Sequence, residues 1–244
     1  MIACRDFLAK SLAVLGAWMQ RDVKAIGFDA FVIFDPRSLS SLADSLFPGQ
    51  GSALAELWRV RQFEYCWLRN SLGRYADFWT VTRDALIYAA HAARLELTND
   101  TRDRLMQGYL ELKAYDDVRP GLERLRDARM RLGFVSNMTR SMIEANLRAN
   151  DLENYFDQIL STDRIQTYKP DPRAYRMAIE GFGLRQRNIG FAAFGGWDAV
   201  GAVNFGYSTF WVNRLGLPAE ELNIRVEDTG SDLSALTNWI GLPA

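Results

Sequence analysis

The sequence predicts an α/β protein: a doubly wound parallel sheet, interrupted after its first strand by an all-helical insertion. Three observations predict it. Five short runs rich in apolar residues punctuate the chain, as strands buried on both faces do. Helical patterns separate the last four of them, the alternation expected of crossover connections in a parallel sheet. From about Pro36 to Tyr115 the alternation stops, and only helical patterns can be read.

The first strand is Lys24 to Phe28. The insertion follows, with helices expected over Leu54 to Leu72, Tyr75 to Ala93 and Thr101 to Leu112, and no strand pattern among them. The next helix is expected to begin at Pro120, a good first-turn residue. Its stop signal, Gly133, overlaps the second strand, Arg131 to Val135. Thr139 is a plausible N-cap for a helix running to about Asn150. The third strand is Gln158 to Leu160, followed by a helix from Asp171-Pro172 to Gly181. The fourth strand, Asn188 to Ala192, leads to a helix from near Asp198 to Gly206. Ser208 to Val212 is the fifth strand, and Asp232 to Ile240 reads as a last amphipathic helix. The expected organisation is an N-terminal segment (1–20), an α/β core (21–36 and 116–244) and a helical unit (37–115).

Composition narrows the function classes. A net charge of -1 provides no basic surface for nucleic acid. Two cysteines do not make a disulfide framework and fit a reducing compartment, so the cytoplasm is expected. The one histidine, His91, disfavours zinc sites and Ser-His-Asp triads. The run Ser11 to Met19 is too short to span a bilayer. With Cys4-Arg5 before it, it resembles a twin-arginine export signal that has decayed, since no small-x-small cleavage site follows. A working signal would instead place the protein in the periplasm.

Ligands of open parallel sheets bind beyond the carboxyl ends of the strands. Asp29 follows the first strand there. Ser136 and Asn137 follow the second, and Lys169 lies beyond the third. Gly195, Gly196, Trp197 and Asp198 follow the fourth, and Asn213 and Arg214 the fifth. Singly, these are ordinary turn, cap and loop residues. Together they place a lysine, two carboxylates and a hydroxyl–amide pair on one rim. A carboxylate at such a place serves as a covalent nucleophile, a lysine keeps it ionised, and a second carboxylate orients water.

Phe28-Asp29, Ser136-Asn137, Lys169-Pro170 and Trp197-Asp198 resemble, in order, the motifs of the haloacid dehalogenase superfamily. The helical insertion sits where that superfamily places its cap on a Rossmann-like core. The stretch Leu57 to Arg69, with Arg74-Tyr75-Ala76-Asp77-Phe78, Tyr168-Lys169-Pro170-Asp171 and Trp197-Asp198-Ala199, is similar to the L-2-haloacid dehalogenases. The resemblance spans about Val23 to Arg214. It implies hydrolysis of L-2-haloalkanoic acids to D-2-hydroxyacids through an ester on the nucleophile Asp29, without metal or other cofactor. It implies a halide cradle of Arg59, Asn137 and Phe78, and a substrate-carboxylate contact at Ser136. It implies a nucleophile-supporting Lys169, a supporting Tyr175 and Trp197, and Asp198 helping water attack the ester. A homodimer paired through cap helices is also implied. Trp58, Tyr65 and Trp67 are expected to be cap packing.

The first motif departs from the family. It runs Asp29-Ala30-Phe31-Val32-Ile33-Phe34-Asp35, one residue short, without the family's glycine and threonine. Ala193 and Gly195 stand where the family has a serine and an asparagine before Trp-Asp. Losing such hydrogen-bond partners typically costs about 10- to 1,000-fold in rate. The displacement machinery therefore reads as more complete than the hydrolysis machinery, and a hydrolysis-impaired or non-catalytic relative is the alternative. A phosphatase of the same superfamily is disfavoured. It needs a carboxylate two residues after the nucleophile, where Phe31 stands, and magnesium.

Overall fold

A computed structural model describes residues 22–242, so the segment read as a decayed export signal lies outside the described residues. The strands are β1 (Ala25–Phe28), β2 (Phe34–Asp35), β3 (Lys113–Ala114), β4 (Arg131–Ser136), β5 (Gln158–Ser161), β6 (Ile189–Ala193), β7 (Ser208–Val212) and β8 (Asp228–Gly230). Six of them form one sheet in the order β5-β4-β1-β6-β7-β8, with every pairing parallel. All four residues of β1 are buried, as a central strand covered on both faces requires. The strand order reverses beside β1, which makes its carboxyl end the switch point where ligands bind. In register, Phe28 pairs with Phe134 on one side and Ala192 on the other.

The helices are α1 (Ala30–Ile33), α2 (Ser38–Leu46), α3 (Gly51–Leu72), α4 (Phe78–Ala92), α5 (Asn99–Gly108), α6 (Val118–Asp127), α7 (Arg140–Ala149), α8 (Pro172–Phe182), α9 (Gly196–Phe205) and α10 (Leu233–Trp239). The expected α/β architecture with an inserted helical unit is present. Helices α2 to α5 occupy the insertion, and α2 and α3 approach closely. A Cβ on Gly51 would fall 2.1 Å from the Ala43 carbonyl carbon, so only glycine fits there.

Several boundaries differ from the sequence reading. The insertion does contain a strand: Lys113–Ala114 pairs antiparallel with Phe34–Asp35 and closes the base of the helical unit. An eighth strand, Asp228–Gly230, extends the sheet edge beyond β7. Helix α6 starts at Val118, ahead of Pro120, because the first turn has no intrahelical partners for its N–H groups and tolerates proline. It ends at Asp127, well before Gly133. Helix α4 begins at Phe78 and not Tyr75, since the Asp77 side chain caps it by accepting from Thr80 N at 2.7 Å. Helix α9 begins two residues before Asp198.

Candidate active site

Asp29 leaves the end of β1 in an extended conformation (φ -66°, ψ 142°) and precedes α1 without capping it. Its N–H donates to the Ala192 carbonyl at 2.9 Å, which ties the residue to β6. The α1 loop is fixed by Arg214, whose side chain is 4% exposed. Its Nη2 donates to the Val32 carbonyl at 2.9 Å and its Nη1 to Asp117 Oδ1 at 2.5 Å. Arg214 therefore shapes the nucleophile's loop. Asn213, read with it at the rim, bonds the backbone of Leu217 in an exposed turn.

Lys169 is the hub. Its ammonium lies 2.7 Å from Asp198 Oδ2 and 3.5 Å from Asp29 Oδ1, with side chains only 1%, 0% and 6% exposed. Two carboxyl groups thus share one cation in a place that water barely reaches. Tyr175 OH donates to Asp198 Oδ1 at 2.8 Å. Burial pushes the Asp198 carboxyl up to about 6; Lys169 pulls against that shift and Asp29 adds to it. Burial also holds the Tyr175 phenol well above its ordinary range, so it remains a donor.

Ser136 and Asn137 follow β4. Ser136 Oγ accepts from Met138 N at 3.1 Å, while the cap of α7 is Thr139, accepting from Met142 N at 3.2 Å. Asn137 Oδ1 accepts from the backbone N of Lys169 at 2.9 Å and from Thr162 Oγ1 at 3.4 Å. Facing two donors, that atom has to be the oxygen. Asn137 Nδ2 is then left buried with no partner among the described residues.

Arg59 and Phe78 come from the helical unit. Arg59, on α3, is half-buried and has no hydrogen bond or ion pair among the described residues. It borders a cavity of about 230 Å³ with Pro36, Leu39, Trp58, Tyr109 and Leu215, on the seam with the core. Phe78 is fully buried at the start of α4, its ring 6.4 Å from that of Tyr168 beside Lys169. No hydrogen bond or ion pair joins Arg59 to the Asp29–Lys169–Asp198 cluster. Trp197 packs against Phe63 at 5.2 Å and edge-on to Trp67 at 5.5 Å. Phe31 is buried between Phe63 (6.2 Å) and Phe194 (5.7 Å), so an aromatic wall stands two residues after Asp29.

Sequence reasoning missed the bonds between the helical unit and the lysine loop. Trp67 Nε1 donates to the Lys169 carbonyl at 3.3 Å, and Asn70 Nδ2 to the Tyr168 carbonyl at 3.1 Å. Trp67 is thus more than packing. Trp58 and Tyr65 stay within the helices, Trp58 on the Thr82 carbonyl and Tyr65 against Tyr88. The available signal was the spacing of Trp67 and Asn70, three apart on one helix face.

The chain is similar to known proteins over most of its length. The family model of the haloacid dehalogenase-like hydrolases matches residues 79–212. An (S)-2-haloacid dehalogenase from Pseudomonas putida is 34% identical over 221 residues, covering 90% of this chain and 97% of the relative. One from Pseudomonas sp. (strain YL) is 38% identical over 201 residues, covering 82% and 87%. The L-2-haloacid dehalogenase of Xanthobacter autotrophicus, solved with chloropropionic acid covalently bound, superposes with a TM-score of 0.84 at 30% identity, covering 91% of this chain and all of that one. With a carboxylate at the switch point, a lysine between it and a second carboxylate, and relatives alike over nearly their whole length, the chain belongs to the haloacid dehalogenase-like hydrolases, within the (S)-2-haloacid dehalogenase family.

Proposed function

We propose that this chain hydrolyses L-2-haloalkanoic acids to D-2-hydroxyacids through an ester on Asp29. The observation that carries the reading is the Lys169 ammonium placed between Asp29 and Asp198 at the end of β1. An Asp29 carboxylate oxygen attacks C2 of the haloacid, and the carbon–halogen bond breaks with its electron pair leaving on halide. Water then adds to the Asp29 carboxyl carbon and gives its proton to Asp198. The bond from that carbon to the Asp29 oxygen now carried on C2 breaks, and Asp198 returns the proton to it, so the hydroxyacid leaves with an oxygen from Asp29 and the water oxygen stays in the regenerated carboxylate.

Asn137 Nδ2, buried and unpartnered, is a donor reserved for the departing halide. Arg59, without an ion-pair partner among the described residues, supplies the cation and Phe78 the ring edge. Ser136 keeps its hydroxyl proton for the substrate carboxylate, and Tyr175 holds Asp198 in place. Residues 37–115 act as the cap, with Trp197 supporting the seam beneath it. Phe31 cannot supply the acid–base carboxylate of a phosphatase, so the reaction proceeds without added metal. The exposed Val60, Leu68 and Leu72 of α3 and Tyr88 of α4 form the pairing surface of a homodimer, which light scattering would measure. A free, buried Cys66 fits residence in the cytoplasm, to be checked by cell fractionation. No helix among the described residues is long and apolar enough to cross a membrane.

The test is halide release from L- and D-2-chloropropionate in excess EDTA. Fixing halide and carboxylate at two places leaves one enantiomer with C2 in line with Asp29. L substrate is expected to be consumed with inversion. Equal rates for both enantiomers, or activity appearing only with magnesium, would overturn the reading. Ala193 and Gly195 favour slow ester hydrolysis, so halide should appear in a burst near one equivalent per site, with an adduct on Asp29.

A further inference from the structure

Gly195 has no side chain, but the space beside it is occupied. A Cβ placed on Gly195 would lie 2.7 Å from Nε1 of Trp197, 3.1 Å from its Cδ1 and 3.2 Å from its Cε2. The pyrrole edge of the indole therefore fills the place where a side chain at position 195 would begin. Its nitrogen stands about as far from that Cβ as the polar atoms of an asparagine stand from their own. The position belongs to the site. Gly195 follows β6 by two residues, and the register sets Ala193 level with Asp29. The Gly195 carbonyl accepts from the N–H of Asp198 at 3.1 Å.

The indole N–H is also uncommitted. Trp58, Trp67 and Trp211 each donate to a carbonyl, those of Thr82, Lys169 and Phe194. Trp197 donates no hydrogen bond among the described residues. Contacts with Phe63 and Trp67 hold its ring. An indole nitrogen donates and never accepts, which suits it to the oxygen of a water.

We propose that Trp197 is a catalytic donor in the second step, taking over the water-holding position that Gly195 leaves without a side chain. The water accepts the indole N–H at one lone pair and directs the other at the carboxyl carbon of the Asp29 ester. It passes a proton to Asp198, which returns it to the leaving oxygen as the hydroxyacid departs. This rests on the ester mechanism above, and it concerns only the hydrolytic step.

The experiment is rapid-quench halide release and intact-mass measurement on L-2-chloropropionate with three variants. Trp197→Phe keeps a ring and removes the N–H. Its burst should stay within about threefold of wild type, while its steady rate falls by about tenfold or more and the Asp29 adduct accumulates. Gly195→Ala keeps the tryptophan but pushes the indole aside, and should slow the same phase. Gly195→Asn should lower the steady rate in the wild-type background yet raise it in Trp197→Phe, where the smaller ring leaves room for the amide. Wild-type steady turnover in Trp197→Phe would overturn the proposal. Equal loss of burst and steady rate there would also overturn it, since packing alone would do that. If Trp197→Phe does not fold, an unchanged steady rate in Gly195→Ala overturns it. No halide from the wild type would overturn the mechanism itself, and this inference with it.

Discussion

The molecule contains two buried polar clusters, and they are built on opposite principles. Inside the helical unit, Gln62 Nε2 donates to Thr82 Oγ1 at 2.5 Å and Gln62 Oε1 accepts from Tyr109 OH at 3.0 Å. Thr82 Oγ1 donates to the Phe78 carbonyl at 2.6 Å, and Trp58 donates to the Thr82 carbonyl at 2.7 Å. That network is neutral, and its members satisfy one another. At the sheet rim, one ammonium serves two carboxyl groups, and the buried Asn137 NH₂ has no partner among the described residues. Buried polar groups are ordinarily paired. A closed network fixes shape, whereas spare donors beside a charged cluster are bonding capacity held for a substrate.

The contrast yields tests in order of size. Asp29→Asn should lower halide release by at least about 1,000-fold without lowering Tm, because it removes one of two carboxyl groups competing for Lys169. A parallel loss of Tm would make the rim structural. Asp198→Asn should slow the steady phase by about 100-fold or more while the halide burst survives. The wild-type steady rate carries the same signature in pH. Asp198 accepts the water's proton only when ionised, and burial raises its carboxyl to about 6. The rate should therefore be full above that pH and fall as pH drops through it. A flat profile to pH 5 would remove Asp198 from the step. Gln62→Ala reverses the pattern, with a stability loss of about 2–4 kcal/mol in urea melts and halide release within about threefold at a temperature where the variant is folded. Trp67→Phe removes one donor from the Lys169 carbonyl and should cost about 1 kcal/mol.

The rim was legible in the sequence because its chemistry sits at strand ends, and buried parallel strands are unmistakable as apolar runs. Ile26 and Phe28 mark β1, and Asp29 follows directly. Strand β8 was not legible: Asp228-Thr229-Gly230 is a short polar edge strand with nothing apolar to betray it. Strands β2 and β3, two residues each, carry no period at all. Lys169 was expected beside Asp29, but its shorter contact is with Asp198, a preference set by how α9 starts and not by any local pattern. The closed network of Gln62, Thr82 and Tyr109 went unread because its members lie 20 and 47 residues apart. Trp67 reaches a carbonyl 102 residues away, which only the assembled fold brings near.

Helix α3 carries Arg59 near its middle and Trp67 and Asn70 near its end. A helix is stiff, and those sites are about 12–16 Å apart along it. Through Trp67 and Asn70 it is fastened to the loop that presents Lys169. If the helical unit swings away to release a hydroxyacid, the Arg59 guanidinium and the loop bearing the ammonium are disturbed in one motion. An aspartate that can be alkylated is a hazard in any cell full of electrophiles. Tying the Lys169 loop to α3 through Trp67 and Asn70 would confine that reactivity to the state in which the two halves are shut.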